Sequence, residues 1–174
     1  MAKDQTPGGA YYSRIAASTA DELTLNEHLL AATRVVLPFN NARYDEKLVE
    51  RSGAKDLALL QHLIALVRPA PKPVAGFPLH WDMVLALTRQ RILVYKPRRG
   101  SPQPAAFLGS VSLSHLTEVK LATIPDRRGR TLALKINIDH GPRLMLDVLA
   151  GYRSDTEHFV ETAQPHLGVP RLLG

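Results

Sequence analysis

Residues 83–95, MVLALTRQRILVY, constrain the fold more than any other stretch of this chain. Two apolar runs, 83–87 and 92–95, flank the polar turn Thr88-Arg89-Gln90-Arg91. The second run is rich in β-branched and aromatic side chains, which suit a pleated, half-buried surface. The pattern predicts a β-hairpin. It opens a region in which strand-like runs and turns follow one another to about Val148.

Beyond the hairpin, residues 96–105 (KPRRGSPQPA) read as a basic, proline-rich loop and 107–113 (FLGSVSL) as a short strand. In 116–123, Leu116, Glu118 and Lys120 alternate with Thr117, Val119 and Leu121, and 124–130 (IPDRRGR) read as a basic turn. Residues 131–138 alternate best of all. Leu132, Leu134, Ile136 and Ile138 share one face, and Ala133, Lys135 and Asn137 the other. Asp139-His140-Gly141-Pro142 is a hairpin connection leading to 143–148, where Leu144, Leu146 and Val148 face one way and Arg143, Met145 and Asp147 the other. This is the signature of half-buried antiparallel sheet. A final helix is predicted over 154–165, with Ser154 and Glu157 as a capping box and Phe159, Val160 and Ala163 on its docking side.

Upstream the signals are less regular. Residues 23–37 suit a helix by Leu29, Leu30, Ala31 and Ala32, and a strand by the β-branched residues after them. We favour a strand over 28–37, entered by a turn at 22–26. Residues 45–68 read as a helix, with Asp45 and Glu46 near its start and Arg68 at its end, both agreeing with the helix dipole. Its Leu57, Leu60, Ile64 and Val67 form one apolar stripe, with Leu59, Leu63 and Leu66 beside it. So wide an apolar face must be covered, by the domain's own sheet, by a second copy or by a partner. Residues 69–78 carry four prolines and read as a stiff, extended linker. Residues 1–20 and 167–174 read as tails, the first flexible, leaving one domain over 21–166.

The absence of cysteine excludes a disulfide framework, a thiol nucleophile and Cys-based zinc sites. Residues 1–12 contain no apolar signal-peptide core, and the longest apolar-rich segment, 57–67, is too short to span a bilayer. A soluble cytoplasmic protein is expected. Charge is uneven: residues 1–76 hold 9 basic and 8 acidic side chains, net +1, and residues 77–174 hold 13 and 8, net +5. The strand-rich part is the basic part.

The runs Leu85-Ala86-Leu87-Thr88 and Arg91-Ile92-Leu93-Val94-Tyr95 resemble the first hairpin of bacterial pleckstrin-homology-like (PH-like) and GRAM-type domains. Phe107-Leu108-Gly109, residues 112–119, the 139–146 hairpin and Phe159 stand where that family places its later elements. The resemblance covers about 83–163. It implies an α+β fold, an antiparallel β-barrel or sandwich with a C-terminal capping helix, here with an inserted helix between the first strand and the second. Arg89 stands where the family turn often has Asp or Asn. The long 40–77 connection replaces the loop in which many eukaryotic relatives hold phosphoinositide headgroups.

No phosphate-binding loop, nucleophile elbow or H-E-x-x-H motif occurs, and the 7 histidines share no metal-ligand spacing. His80 and Asp82, flanking Trp81, read as a hydrogen-bonded pair at the sheet margin rather than a catalytic pair. No catalytic residue, cofactor or metal is expected. The features with functional weight are basic turns: Arg89 and Arg91 on one, Lys96, Arg98 and Arg99 on another, and Arg127, Arg128 and Arg130 on a third. Arginine-bearing turns can chelate phosphates through paired guanidinium donors. With aromatics at 6% and none interleaved with these arginines, nucleic acid is not expected. Two readings follow. One is a non-enzymatic protein-binding or adaptor module using its sheet edge, loops or the helix bearing Leu57, Leu60, Leu63, Ile64 and Val67. The other is a peripheral binder of anionic lipid or phosphate-bearing ligands through the arginine turns.

Overall fold

A strand with one face in water alternates apolar and polar residues, whereas an unbroken apolar run belongs to a strand covered on both faces. Strand β2 (Asp82–Leu87) is such a run, and every one of its residues is buried. In the computed structural model, which describes residues 10–38, 71–98, 100–126 and 129–168, this strand lies inside a seven-stranded antiparallel sheet. The others are β1 (Ala31–Val36), β3 (Arg91–Pro97), β4 (Pro104–Ser112), β5 (Leu116–Asp126), β6 (Gly129–Ile138) and β7 (Arg143–Val148). Their order across the sheet is β4-β3-β2-β1-β7-β6-β5. The joint between its halves is short, since β1 meets β7 only through Val35↔Val148 and Val36↔Asp147.

One face of all seven strands feeds a single core, from Val111 on β4 to Leu116 and Val119 on β5, so the sheet curls around it. The two end strands stay unpaired with each other and are joined by a short 3-10 turn, Leu113–His115. The C-terminal helix α2 (Arg153–Ala163) covers this core with Phe159 and Ala163, both fully buried. Just beyond it, the Gln164 side-chain amide donates to the Val119 carbonyl of β5. The inward faces of β6 and β7 match the alternation of the sequence, with Leu134, Ile136, Leu144 and Leu146 in the core. On β5 a register shift between Leu116 and Glu118 turns Leu116 inward beside Val119, against the alternation expected from sequence.

A second core lies on the outer face of β1, β2 and β3. Helix α1 (Ala10–Ile15) packs Tyr11 and Ile15 against Ala32, Val84, Ala86, Leu93 and Tyr95. Residues 10–20, read from sequence as part of a flexible tail, are therefore helical, α1 being followed by a 3-10 segment, Ala17–Glu22, that runs into the turn expected at 22–26. This added layer covers the second face of β2 and also buries the 92–95 run of β3, read from sequence as half-buried.

Two other expectations change. Helix α2 begins one residue before Ser154, and its first turn has no side-chain cap. Glu157 instead pairs with Arg153 at 2.9 Å. Thr156 donates to the Tyr152 carbonyl at 2.7 Å and meets the Thr33 hydroxyl of β1 at 2.6 Å, tying helix to sheet. Residues 71–78 are not uniformly extended. Val74 and Phe77 exchange backbone hydrogen bonds of 2.8 and 3.0 Å around Ala75 and Gly76, both at positive φ, a tight two-residue turn. That turn drives Phe77 fully into the main core. The expected helix over 45–68 lies outside the described residues.

Candidate functional site

The turn Thr88-Arg89-Gln90-Arg91 joins two buried strands, so its polar groups must be satisfied locally. Glu27 does this. Its carboxylate accepts from the Thr88 hydroxyl at 2.7 Å, the Thr24 amide at 3.2 Å and the Arg91 guanidinium at 2.8 and 2.9 Å. The Arg91 hydrogen bond holds the Glu27 carboxyl down at about 2 even though burial opposes it. Arg91 also donates to the Glu22 carbonyl and to Ser110 Oγ. It is a structural cation. Of the other residues expected to bind anions, Arg89 is exposed on the β2–β3 turn, and Lys96 and Arg98 are exposed at the far end of β3. About 17 Å of strand separates Arg91 from Lys96, so the described basic residues do not form one cluster. Arg130 lies in the first residues of β6, with its backbone in register with Pro125. Arg99, Arg127, Arg128 and the helix residues Leu57, Leu60, Leu63, Ile64 and Val67 lie outside the described residues.

His80 and Asp82 meet through the main chain rather than the carboxylate. His80 Nδ1 lies 3.2 Å from the Asp82 carbonyl oxygen and 3.4 Å from its amide. The Asp82 carboxylate is engaged by Arg34 of β1 through two bonds of 2.6 and 3.0 Å. Burial lowers the His80 pKa. Among the described residues, no three His, Cys, Asp or Glu side chains are grouped to hold a metal, and no helix is long and apolar enough to cross a membrane.

The two sheet edges differ sharply. Strand β5 carries Glu118 and Lys120, and Glu118 bridges Lys120 and Lys135 at 2.6 Å each. Such charges protect an edge against pairing. Strand β4 has no charged residue in Pro104–Ser112, and its residues 105–108 are exposed. Phe107 and Leu108 are two of the three exposed large hydrophobic residues described, at 41% and 37%. Phe107 rests on Tyr95 of β3, ring centroids 5.3 Å apart, and thus stands on the outer face. The register shift between Val94 and Tyr95 leaves Leu108 as an extra residue, a bulge. The next residue, Gly109, has φ +143° and lies against Pro78, where a Cβ would come within 2.8 Å of the ring.

Comparison with protein-family models finds no match, and comparison with curated proteins finds no significant one. The start of this edge is braced by α1 and the 3-10 segment after it: the Tyr11 hydroxyl donates to the Pro102 carbonyl at 2.7 Å, and Ser18 bonds Gln103 at 3.1 Å. Tyr11 also stacks edge-on against Tyr152 at 4.9 Å. Sequence reasoning read 107–113 as one more short strand. The signal it passed over was the run of residues 101–114, which contains no Asp, Glu, Lys or Arg.

Proposed function

We propose that this chain is a non-enzymatic binding module of PH-like architecture that engages another protein along strand β4. The carrying observation is the contrast between a charged β5 edge and an uncharged, exposed β4 edge bearing Phe107 and Leu108. An open edge offers a row of main-chain donors and acceptors, and adding a strand from a partner satisfies them. The antiparallel seven-strand order and the packed C-terminal helix support the PH-like reading of the scaffold. The separation of Arg89 from Lys96 and Arg98, and the engagement of Arg91 by Glu27, favour a protein partner over a lipid headgroup.

The test compares the chain with its Leu108→Lys variant as bait in cell lysate, alongside co-sedimentation with anionic and neutral vesicles across a salt series. The proposal expects discrete proteins captured by the parent and lost from the variant, without vesicle binding. Salt-sensitive sedimentation with anionic vesicles alone, unaffected by Leu108→Lys, would replace it with the lipid reading.

A further inference from the structure

We infer that the β4 edge takes an extended segment of a partner chain that is apolar along its middle and acidic at both ends. The inference rests on the binding reading above and specifies the partner's chemistry. Strand β4 is uncharged over Pro104–Ser112, so its middle has only small and apolar side chains to offer. Both of its ends are basic. At its start, Lys96 lies directly across from Ala106, and Arg98 stands exposed in the β3–β4 loop. At its end, Leu113 N–H donates to the Gln90 carbonyl at 2.9 Å, which brings the exposed Arg89, one residue away, beside the strand terminus. Arg91 adds no net charge there, because Glu27 holds it. On the outer face, Glu22 accepts from the Tyr95 hydroxyl at 3.1 Å.

This charge pattern selects against a second copy of the chain. Pairing two β4 strands, in either direction, sets one basic end against another, and like charges facing across strands repel. It selects for a foreign strand whose acidic ends meet Lys96 and Arg98 at one side and Arg89 at the other. The bulge at Leu108 breaks the regular ladder, which opposes open-ended stacking and suits one short added strand.

The probe is a fluorescein-labelled peptide with an alternating valine–threonine centre and two glutamates at each end. Its controls are the same centre with lysines at each end, and the acidic peptide carrying N-methyl groups on alternate central residues. Binding is read by fluorescence anisotropy and by amide NMR shifts. The acidic peptide is expected to bind about tenfold more tightly than the lysine peptide at low salt, with the preference shrinking as salt rises. N-methylation on the docking edge should abolish binding, and shifts should concentrate in residues 104–112. The double variant Arg89→Glu/Arg98→Glu should reverse the preference in favour of the lysine peptide. Equal affinity for the two ends, indifference to N-methylation, shifts elsewhere, or no binding by either peptide at millimolar concentration overturns the inference. A dimer abolished by Leu108→Lys also overturns it. If the peptides fail while Leu108-dependent capture of discrete proteins persists, the acidic-strand inference falls and the binding reading stands. If that capture fails as well, both fall.

Discussion

The Arg91 guanidinium and the Glu27 carboxylate, 64 residues apart in sequence, are joined by two hydrogen bonds, Nη2 to Oε2 at 2.8 Å and Nε to Oε1 at 2.9 Å. The pair closes the end of the β2–β3 hairpin against the segment that leads into β1. With the Glu27 side chain 1% exposed, the contact is held away from screening solvent.

Glu27→Gln is therefore expected to lower stability by about 2 kcal/mol, since it weakens the partner of a half-buried cation. The parent should also show an acid dependence. Glu27 titrates at about 2 in the folded chain against an ordinary 4.5, so the unfolded chain binds the proton first. Its contribution is complete above about 4.5 and is lost as pH falls toward about 2. Urea unfolding of parent and variant at several pH values checks this: the gap between them should narrow across that window. A gap that stays constant contradicts the assignment.

Ile15→Ala should cost about 2–4 kcal/mol, because Ile15 has no surface exposed to solvent and packs in the outer core. Thermal unfolding gives the value. An unchanged midpoint would mean that α1 does not cover the outer sheet face.

The sequence foretold the hairpin at 83–95, the inward faces of β6 and β7 and the docking face of α2, because each rests on a period of apolar residues that the chain itself displays. It was silent on the outer core. Helix α1 has six residues, fewer than two turns, too short for a helical period to emerge. The Ser154–Glu157 pattern suggested a cap, yet Arg153 takes Glu157, and Thr156 reaches Tyr152 and Thr33, contacts settled by packing against β1. Arg91 read as a free cation because nothing local reveals Glu27. The β4 edge was legible only as an absence of charge, which gains meaning once β4 is known to end the sheet.

Thr33 and Thr156 should behave as a coupled pair. Thr156→Val removes the acceptor of the buried Thr33 hydroxyl and should cost about 1–2 kcal/mol, whereas Thr33→Val, after which Thr156 still donates to the Tyr152 carbonyl, should cost less. The double variant should cost less than the sum of the single ones, a double-mutant cycle measured by chemical unfolding. Strict additivity would show that the 2.6 Å contact does not link α2 to β1.

Gly109→Ala should destabilise by about 1–3 kcal/mol, since φ +143° disfavours any side chain and a Cβ would meet Pro78 at 2.8 Å. Gly100→Ala, with positive φ but open space around it, should cost less. Equal losses would show that contact with Pro78 is not what fixes the bulge.

Binding is proposed through β4 and not through β5. A photo-reactive side chain placed at Leu108, and in a second protein at exposed Thr123 of β5, tests it directly in living cells. Discrete crosslinked proteins from the Leu108 position alone are the predicted result. The same adducts from both positions, or adducts from Thr123 and none from Leu108, would contradict it.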